Sequence, residues 1–261
     1  MINVFIIKSG KRDVSKLLQS LSFIPECKIV SVEGIFIEDT NQLDVSVFSP
    51  SAAKIHMGRD LSAGEVGCAM AHNNCRLQAS KSKDFSLILE DDAEIPHPDL
   101  LATMIRKCID QFDASKNIVV NLATHLPVEA ARSSLDNHEV CFNRHLGASP
   151  LALAYIVTPK SSELLLKSNN PIQFTADWPP AKVEWWSTST PLVYHGTLQG
   201  KSLISSKRGS YRAGENTVRK FLRYSTLEYW FYRDFYNNYD EFLTKIWLPR
   251  IRGFITFRWG K

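Results

Sequence analysis

The chain of 261 residues reads as an α/β protein. Short apolar runs of strand length, such as Val4-Phe5-Ile6-Ile7, alternate with segments whose apolar residues recur at helical spacing. The composition, with 44% hydrophobic and 22% charged residues, is that of a globular protein with a sizeable core. Disordered and fibrous classes are excluded.

The first strand is predicted at residues 4–7, and the helix after it places Val14, Leu17, Leu18 and Leu21 on one face. Lys28-Ile29-Val30-Ser31-Val32 is a second strand, ended by Gly34. This strand–helix–strand rhythm is that of a parallel sheet. Ser62-Ala63-Gly64-Glu65 is a capping box, with the Ser62 hydroxyl taking an early backbone N–H and Glu65 reaching back, so a helix runs from here to about Ser80. Ser86-Leu87-Ile88-Leu89 is a short strand that runs into Glu90-Asp91-Asp92. Pro98 suits the first turn of a helix whose stripe is Leu101, Met104, Ile105, Cys108, Ile109 and Phe112. Residues 118–122 and 151–157 are further strands, the second followed by a helix through Leu164-Leu165-Leu166, and residues 190–194 form one more. No internal repeat or low-complexity segment is present.

Charge is uneven along the chain. The net charge is +4, yet residues 218–261 hold nine Lys/Arg against four Asp/Glu, together with 14 of the 28 aromatic residues. The expected organisation is therefore a main domain over 1–200, a basic linker and mobile loop over 201–217, and a basic, aromatic, helical extension over 218–261. In the extension Arg219, Lys220, Arg223, Arg250, Arg252, Arg258 and Lys261 suit anionic headgroups, while Trp230, Phe231, Trp247, Phe254 and Trp259 suit a membrane interface. The plainer alternative packs Tyr229, Tyr232 and Tyr236 against the main domain. Residues 2–7 are too short for a signal-peptide core, and no apolar run reaches the roughly 18 residues of a membrane span. A cytoplasmic protein, peripheral on the inner face of the membrane, is expected. The five cysteines are odd in number and lack a C-x-x-C pair, against a disulfide framework or structural zinc, and Cys68 and Cys75 read as packing residues.

The acidic cluster carries the chemistry. Alternation along a strand puts Glu90 and Asp92 on one side, with Asp91 pointing away unless the chain turns there. Two converging carboxylates suit Mg²⁺ or Mn²⁺, and ligands of open α/β sheets bind beyond the carboxyl ends of strands. A solvated acidic turn leading to the Pro98 helix fits the same residues. Gly64 and Gly67 suit either a helix N-terminus near phosphate or, more simply, close helix packing. His72 suits ligand contact, support of the acidic loop, or a core position.

Taken together, the run Leu61-Ser62-Ala63-Gly64-Glu65-Val66-Gly67-Cys68-Ala69-Met70-Ala71-His72 followed by Leu87-Ile88-Leu89-Glu90-Asp91-Asp92 resembles glycosyltransferase family 25, the lipopolysaccharide and collagen sugar transferases. The opening strand with a basic residue near Arg12, the Val32-Glu33-Gly34 strand end and Ala154-Tyr155-Ile156-Val157 resemble the family too, so the likeness spans about residues 3–195. Ala71 departs from the Ser common before His72.

The resemblance implies a GT-A type nucleotide-sugar-binding domain, a Rossmann-like mixed sheet flanked by helices, using a divalent metal and usually a UDP-sugar, galactose most often. It implies Asp92 and Glu90 as metal ligands, and Glu90, Asp91, Gly64, Glu65 and His72 as donor-binding residues. The acceptor implied is a lipopolysaccharide, lipooligosaccharide or other surface glycan, lipid-linked at the inner membrane. Inversion at the anomeric carbon requires a base, for which Asp177 is the candidate beside Trp178, whose ring can stack on a sugar. Asp177 and Asp91 are the expected catalytic carboxylates, with Glu184 next in line, although a turn-forming Asp before prolines fits Asp177 equally. A haloacid-dehalogenase phosphatase is excluded because Asp-x-Asp-Gly-Thr is missing after the first strand. No nucleic-acid-binding motif accompanies the basic tail. The alternative is a non-catalytic carbohydrate- or partner-binding relative.

Overall fold

The computed structural model describes residues 2–24, 27–57, 59–124, 140–145, 152–177 and 181–196. The expected linker over 201–217, the extension over 218–261 and Trp178 lie outside the described residues.

The elements in order are β1 (Ile2–Lys8), α1 (Ser15–Leu21), β2 (Cys27–Glu33), α2 (Pro50–Met57), α3 (Ala63–Ala79), β3 (Ser86–Glu90), β4 (Ala93–Glu94), α4 (Pro98–Gln111), β5 (Ile118–Asn121), β6 (Ala123–Thr124), β7 (Phe142–His145), β8 (Ala154–Val157), α5 (Pro159–Ser168), β9 (Glu184–Thr188) and β10 (Val193–His195). Seven strands form one sheet in the order β2-β1-β3-β8-β5-β9-β7. β1 is parallel to β2 and β3, and β5 is parallel to β9, but β8 runs antiparallel to both β3 and β5. The sheet is thus the mixed one expected from the resemblance, not the parallel one that the opening rhythm suggests. A small second sheet, β4-β10-β6, sits beyond the end of β3.

Both faces of the central strands are covered. Val4, Ile6, Leu87, Leu89, Val120 and Ile156 pack with Leu17 and Leu21 of α1 and Leu101, Met104 and Cys108 of α4. Phe5, Ile7, Ile88, Val119 and Val157 meet Ala71, Cys75 and Ala79 of α3 and Leu165 of α5. Two-sided burial explains the unbroken apolar runs in β1 and β3. Of the expected α4 stripe only Ile109, 41% exposed, lies off the core, while Phe112 packs against it.

The α3 cap forms as expected. Ser62 Oγ accepts from the Glu65 backbone N–H at 3.3 Å, and the Glu65 carboxylate accepts from the Ser62 N–H at 3.0 Å. Gly67 lies under the chain that leaves β2: a Cβ there would stand 2.1 Å from the Ile35 carbonyl oxygen. That close approach of helix to backbone is the packing role read for Gly67, and it seats α3 beside the ends of β1 and β3.

Candidate active site

β1, β2 and β3 end at the same edge of the sheet, and β8, being antiparallel, begins there. The Glu90 N–H still donates to the Leu153 carbonyl at 2.9 Å, but the next two residues turn. Strand alternation therefore stops at Glu90, which corrects the expected reason for Glu90 and Asp92 to converge, a shared strand face. The turn brings Asp91 and Asp92 together instead, and sends Glu90 toward α3.

Asp91 and Asp92 share one cation. Arg12 Nη1, from the loop after β1, lies 3.1 Å from Asp91 Oδ1 and 2.7 Å from Asp92 Oδ2, and both aspartate side chains are 6% exposed. The Ser9 N–H and hydroxyl donate to Asp91 Oδ2 at 2.6 and 2.5 Å. Both Asp91 oxygens are thus engaged, so this residue, expected among the catalytic carboxylates, stands in the structure as an anchor between the β1 loop and the acidic turn. Asp92 Oδ2 also lies 3.3 Å from His195 Nδ1 at the end of β10, and the Gly196 N–H donates to the Asp92 carbonyl at 2.7 Å. Burial opposes ionisation of Asp92, yet the His195 hydrogen bond and the His195 and Arg12 charges outweigh it and hold its carboxyl below the usual range. The same hydrogen bond raises His195, against burial.

Glu90 directs its Oε1 at α3 while staying within electrostatic reach of His195, the neighbour of Asp92. That Oε1 lies 3.1 Å from His72 Nε2 and 3.9 Å from Cys68 Sγ, both on α3. His72 is fully buried, and its Nδ1 is 2.9 Å from the Tyr155 hydroxyl of β8. A carboxylate only accepts, so neutral His72 carries its proton on Nε2 and takes one from Tyr155 at Nδ1. Burial, Glu90 and Asp177 push the Cys68 thiol well above its ordinary value. Asp177 Oδ1 accepts from the Ala152 N–H at 2.5 Å, so Asp177 is held at the start of β8, on the same edge as Glu90.

Other expected residues stand elsewhere. Glu65 has a side chain 1% exposed, and its oxygens accept from Ser62 and from both Arg59 guanidinium nitrogens at 2.7 Å, so it secures the start of α3. Gly64 lies in that first turn. Glu184 starts β9 opposite Ile118, at the far end of the sheet from Glu90, which removes it as the next candidate base. His195 was not anticipated, and the available signal was only a histidine just past the strand expected at 190–194. Arg12 was read as a family feature without a partner.

Hard divalent cations take carboxylate oxygens. Asp92 Oδ1 is buried without a hydrogen-bond partner among the described residues, so it is a ligand atom not yet used, and His195 stands beside it. The residues present fit such an ion.

Over residues 8–178, well over half of the chain, the sequence matches the family described as glycosyltransferase family 25 (LPS biosynthesis protein). No curated protein matches it. Among solved structures it is similar to a galactosyltransferase, LgtC, in complex with donor and acceptor sugar analogues, at 11% identity and a TM-score of 0.33, covering 67% of this chain and 68% of that one.

Proposed function

The chain belongs to glycosyltransferase family 25, and from that membership we propose that this glycosyltransferase moves a sugar from a UDP-sugar, galactose in the first instance, to a lipopolysaccharide, lipooligosaccharide or other surface glycan, with inversion. The observation that carries the reading is the buried Asp91–Asp92 turn at the carboxyl edge of β1 and β3, where an open α/β sheet receives its ligand.

The geometry supports the following proposed roles. Asp92, with Glu90 at the strand end, holds Mn²⁺ or Mg²⁺, which when bound neutralises charge on the leaving diphosphate. Asp91, through Ser9 and Arg12, fixes the β1 loop against the acidic turn so that the donor pocket is set before substrate arrives. His72 holds Glu90 in place. Asp177 takes the proton of the attacking acceptor hydroxyl, and its bond to the Ala152 N–H keeps it aimed. The extension over 218–261 holds the enzyme at the inner membrane surface, beside a lipid-linked acceptor.

Release of UDP from a panel of UDP-sugars, with and without Mn²⁺ and with a glycan acceptor, tests this. Metal-dependent turnover of UDP-galactose is expected. Saturable sugar binding with no turnover of any donor would support the carbohydrate-binding alternative.

A further inference from the structure

Cys68, His72 and Glu90 offer one ligand atom each, and the three atoms lie within 4.8 Å of one another. Cys68 and His72 are four residues apart on α3, so their side chains project from one helical face, and β3 delivers Glu90 between them. Cys68 is only partly buried, and the Glu90 side chain is 26% exposed, so the group opens at the carboxyl edge of β1 and β3, where an open α/β sheet has its ligand crevice.

We propose that Cys68 Sγ, His72 Nε2 and Glu90 Oε1 form a zinc site, distinct from the Mn²⁺/Mg²⁺ position at Asp92, with a fourth coordination position open to the crevice. The dimensions support it. Zinc bonds of about 2.3 Å to sulfur and about 2.0–2.1 Å to nitrogen and oxygen, arranged tetrahedrally, put ligand atoms roughly 3.3–3.6 Å apart. The Nε2–Oε1 and Sγ–Oε1 separations of 3.1 and 3.9 Å need shifts of a few tenths of an ångström, and the Sγ–Nε2 pair, within 4.8 Å, closes by up to about 1.2 Å as the side chains adjust around the ion. The donor set also discriminates, since thiolate with imidazole favours zinc over the harder Mg²⁺ and Mn²⁺. An outer support is already in place: Tyr155 meets His72 at Nδ1, the ring nitrogen opposite the one that would bind the metal.

Binding balances as follows. The Cys68 S–H bond breaks and the S–Zn bond forms, with the proton leaving to solvent. On His72 the ring proton moves from Nε2 to Nδ1, where the Tyr155 oxygen accepts it. One proton is released per zinc. Because Glu90 serves both positions, zinc inhibits transfer by drawing Glu90 away from the catalytic metal. That consequence rests on the proposed function, whereas zinc binding itself does not.

Co²⁺ and Zn²⁺ titrations of the full chain test the site without any assay of turnover. The expected result is one Co²⁺ per chain with a sulfur-to-cobalt charge-transfer band, bleached by Zn²⁺, with one proton released per Zn²⁺ in weak buffer. Cys68→Ser is expected to abolish the band, and Tyr155→Phe to weaken Zn²⁺ about tenfold or more. Cys141→Ser, which changes an exposed cysteine away from the site, is expected to keep band and affinity. No charge-transfer band in the wild type, or a band that survives in Cys68→Ser, overturns the site. A cobalt band in a protein that turns over no donor leaves the site standing and defeats the proposed function; turnover without the band does the reverse.

Discussion

Replacing Arg12 with Met keeps the length of the side chain and removes the charge that joins Asp91 to Asp92. Asp91 would retain the two Ser9 donors, but Asp92 would retain, among the described residues, only His195 as a charged partner. Removing one member of a buried ion pair costs about 3–5 kcal/mol, because the other charge is left without compensation. Arg12 itself is 22% exposed and Asp91 keeps its donors, so about 2–3 kcal/mol is expected here. For a chain of this size that is roughly 4–12 °C in Tm. The pH dependence is the sharper test. The depressed Asp92 carboxyl contributes stability that is whole above its ordinary value of 3.8 and lost as pH falls through the lower folded value. The raised His195 contributes stability that is whole below 6.5 and lost as pH rises through its higher folded value. In Arg12→Met the protonated His195 is the remaining charge beside Asp92, so the variant is expected to lose most at pH 8 and least near pH 5. Urea unfolding of both proteins across pH 4–8.5 reads this out. A loss below about 0.5 kcal/mol at pH 8, or parallel pH curves, would show that Arg12 is not the clamp on this turn.

Four further outcomes are expected. Asp92→Asn, or excess chelator on the wild type, removes transfer, costing about 3 kcal/mol or more of transition-state stabilisation; steady-state UDP release reads it, and full turnover in chelator would contradict the metal role. Asp177→Asn lowers kcat by about 10²- to 10⁴-fold with little change in donor KM, and unchanged kcat would move the base elsewhere. Gly67→Ala forces a methyl group against the Ile35 carbonyl and is expected to destabilise by about 1–3 kcal/mol in thermal or urea melts, whereas a neutral change would show that the β2 exit yields easily. Removing residues 218–261 is expected to abolish co-sedimentation with anionic liposomes at low salt, and equal sedimentation of both chains would assign that extension another role.

Local chemistry was legible in the sequence, and placement across the chain was not. Ser62 and Glu65 announce the start of α3 because a capping box is completed within four residues. β1 and β3 are evident because both of their faces are buried. The reversed direction of β8 is invisible in Ala154-Tyr155-Ile156-Val157, since a strand buried on both faces reads the same whichever way it runs. Strand β9 was missed because Trp185 and Trp186 sit among polar residues rather than in an apolar run. The same limit applies to the site. The acidic cluster is plain, but the turn after Glu90 lacks glycine or proline, so nothing local marks where alternation stops. The His195–Asp92 contact depends on two strands of three residues or fewer that pair across a hundred positions.

The reversed central strand also shapes how the chain must assemble. Within the seven-stranded sheet, β8 is the seam between β2-β1-β3 and β5-β9-β7. Its partners β3 and β5 lie far upstream, so both wait with an unpaired edge until β8 has been made and inserted. Long-range closure of this kind is slow, and open apolar edges invite other chains to pair with them. Refolding yield should therefore depend on protein concentration, with losses arising from chains trapped before the seam closes.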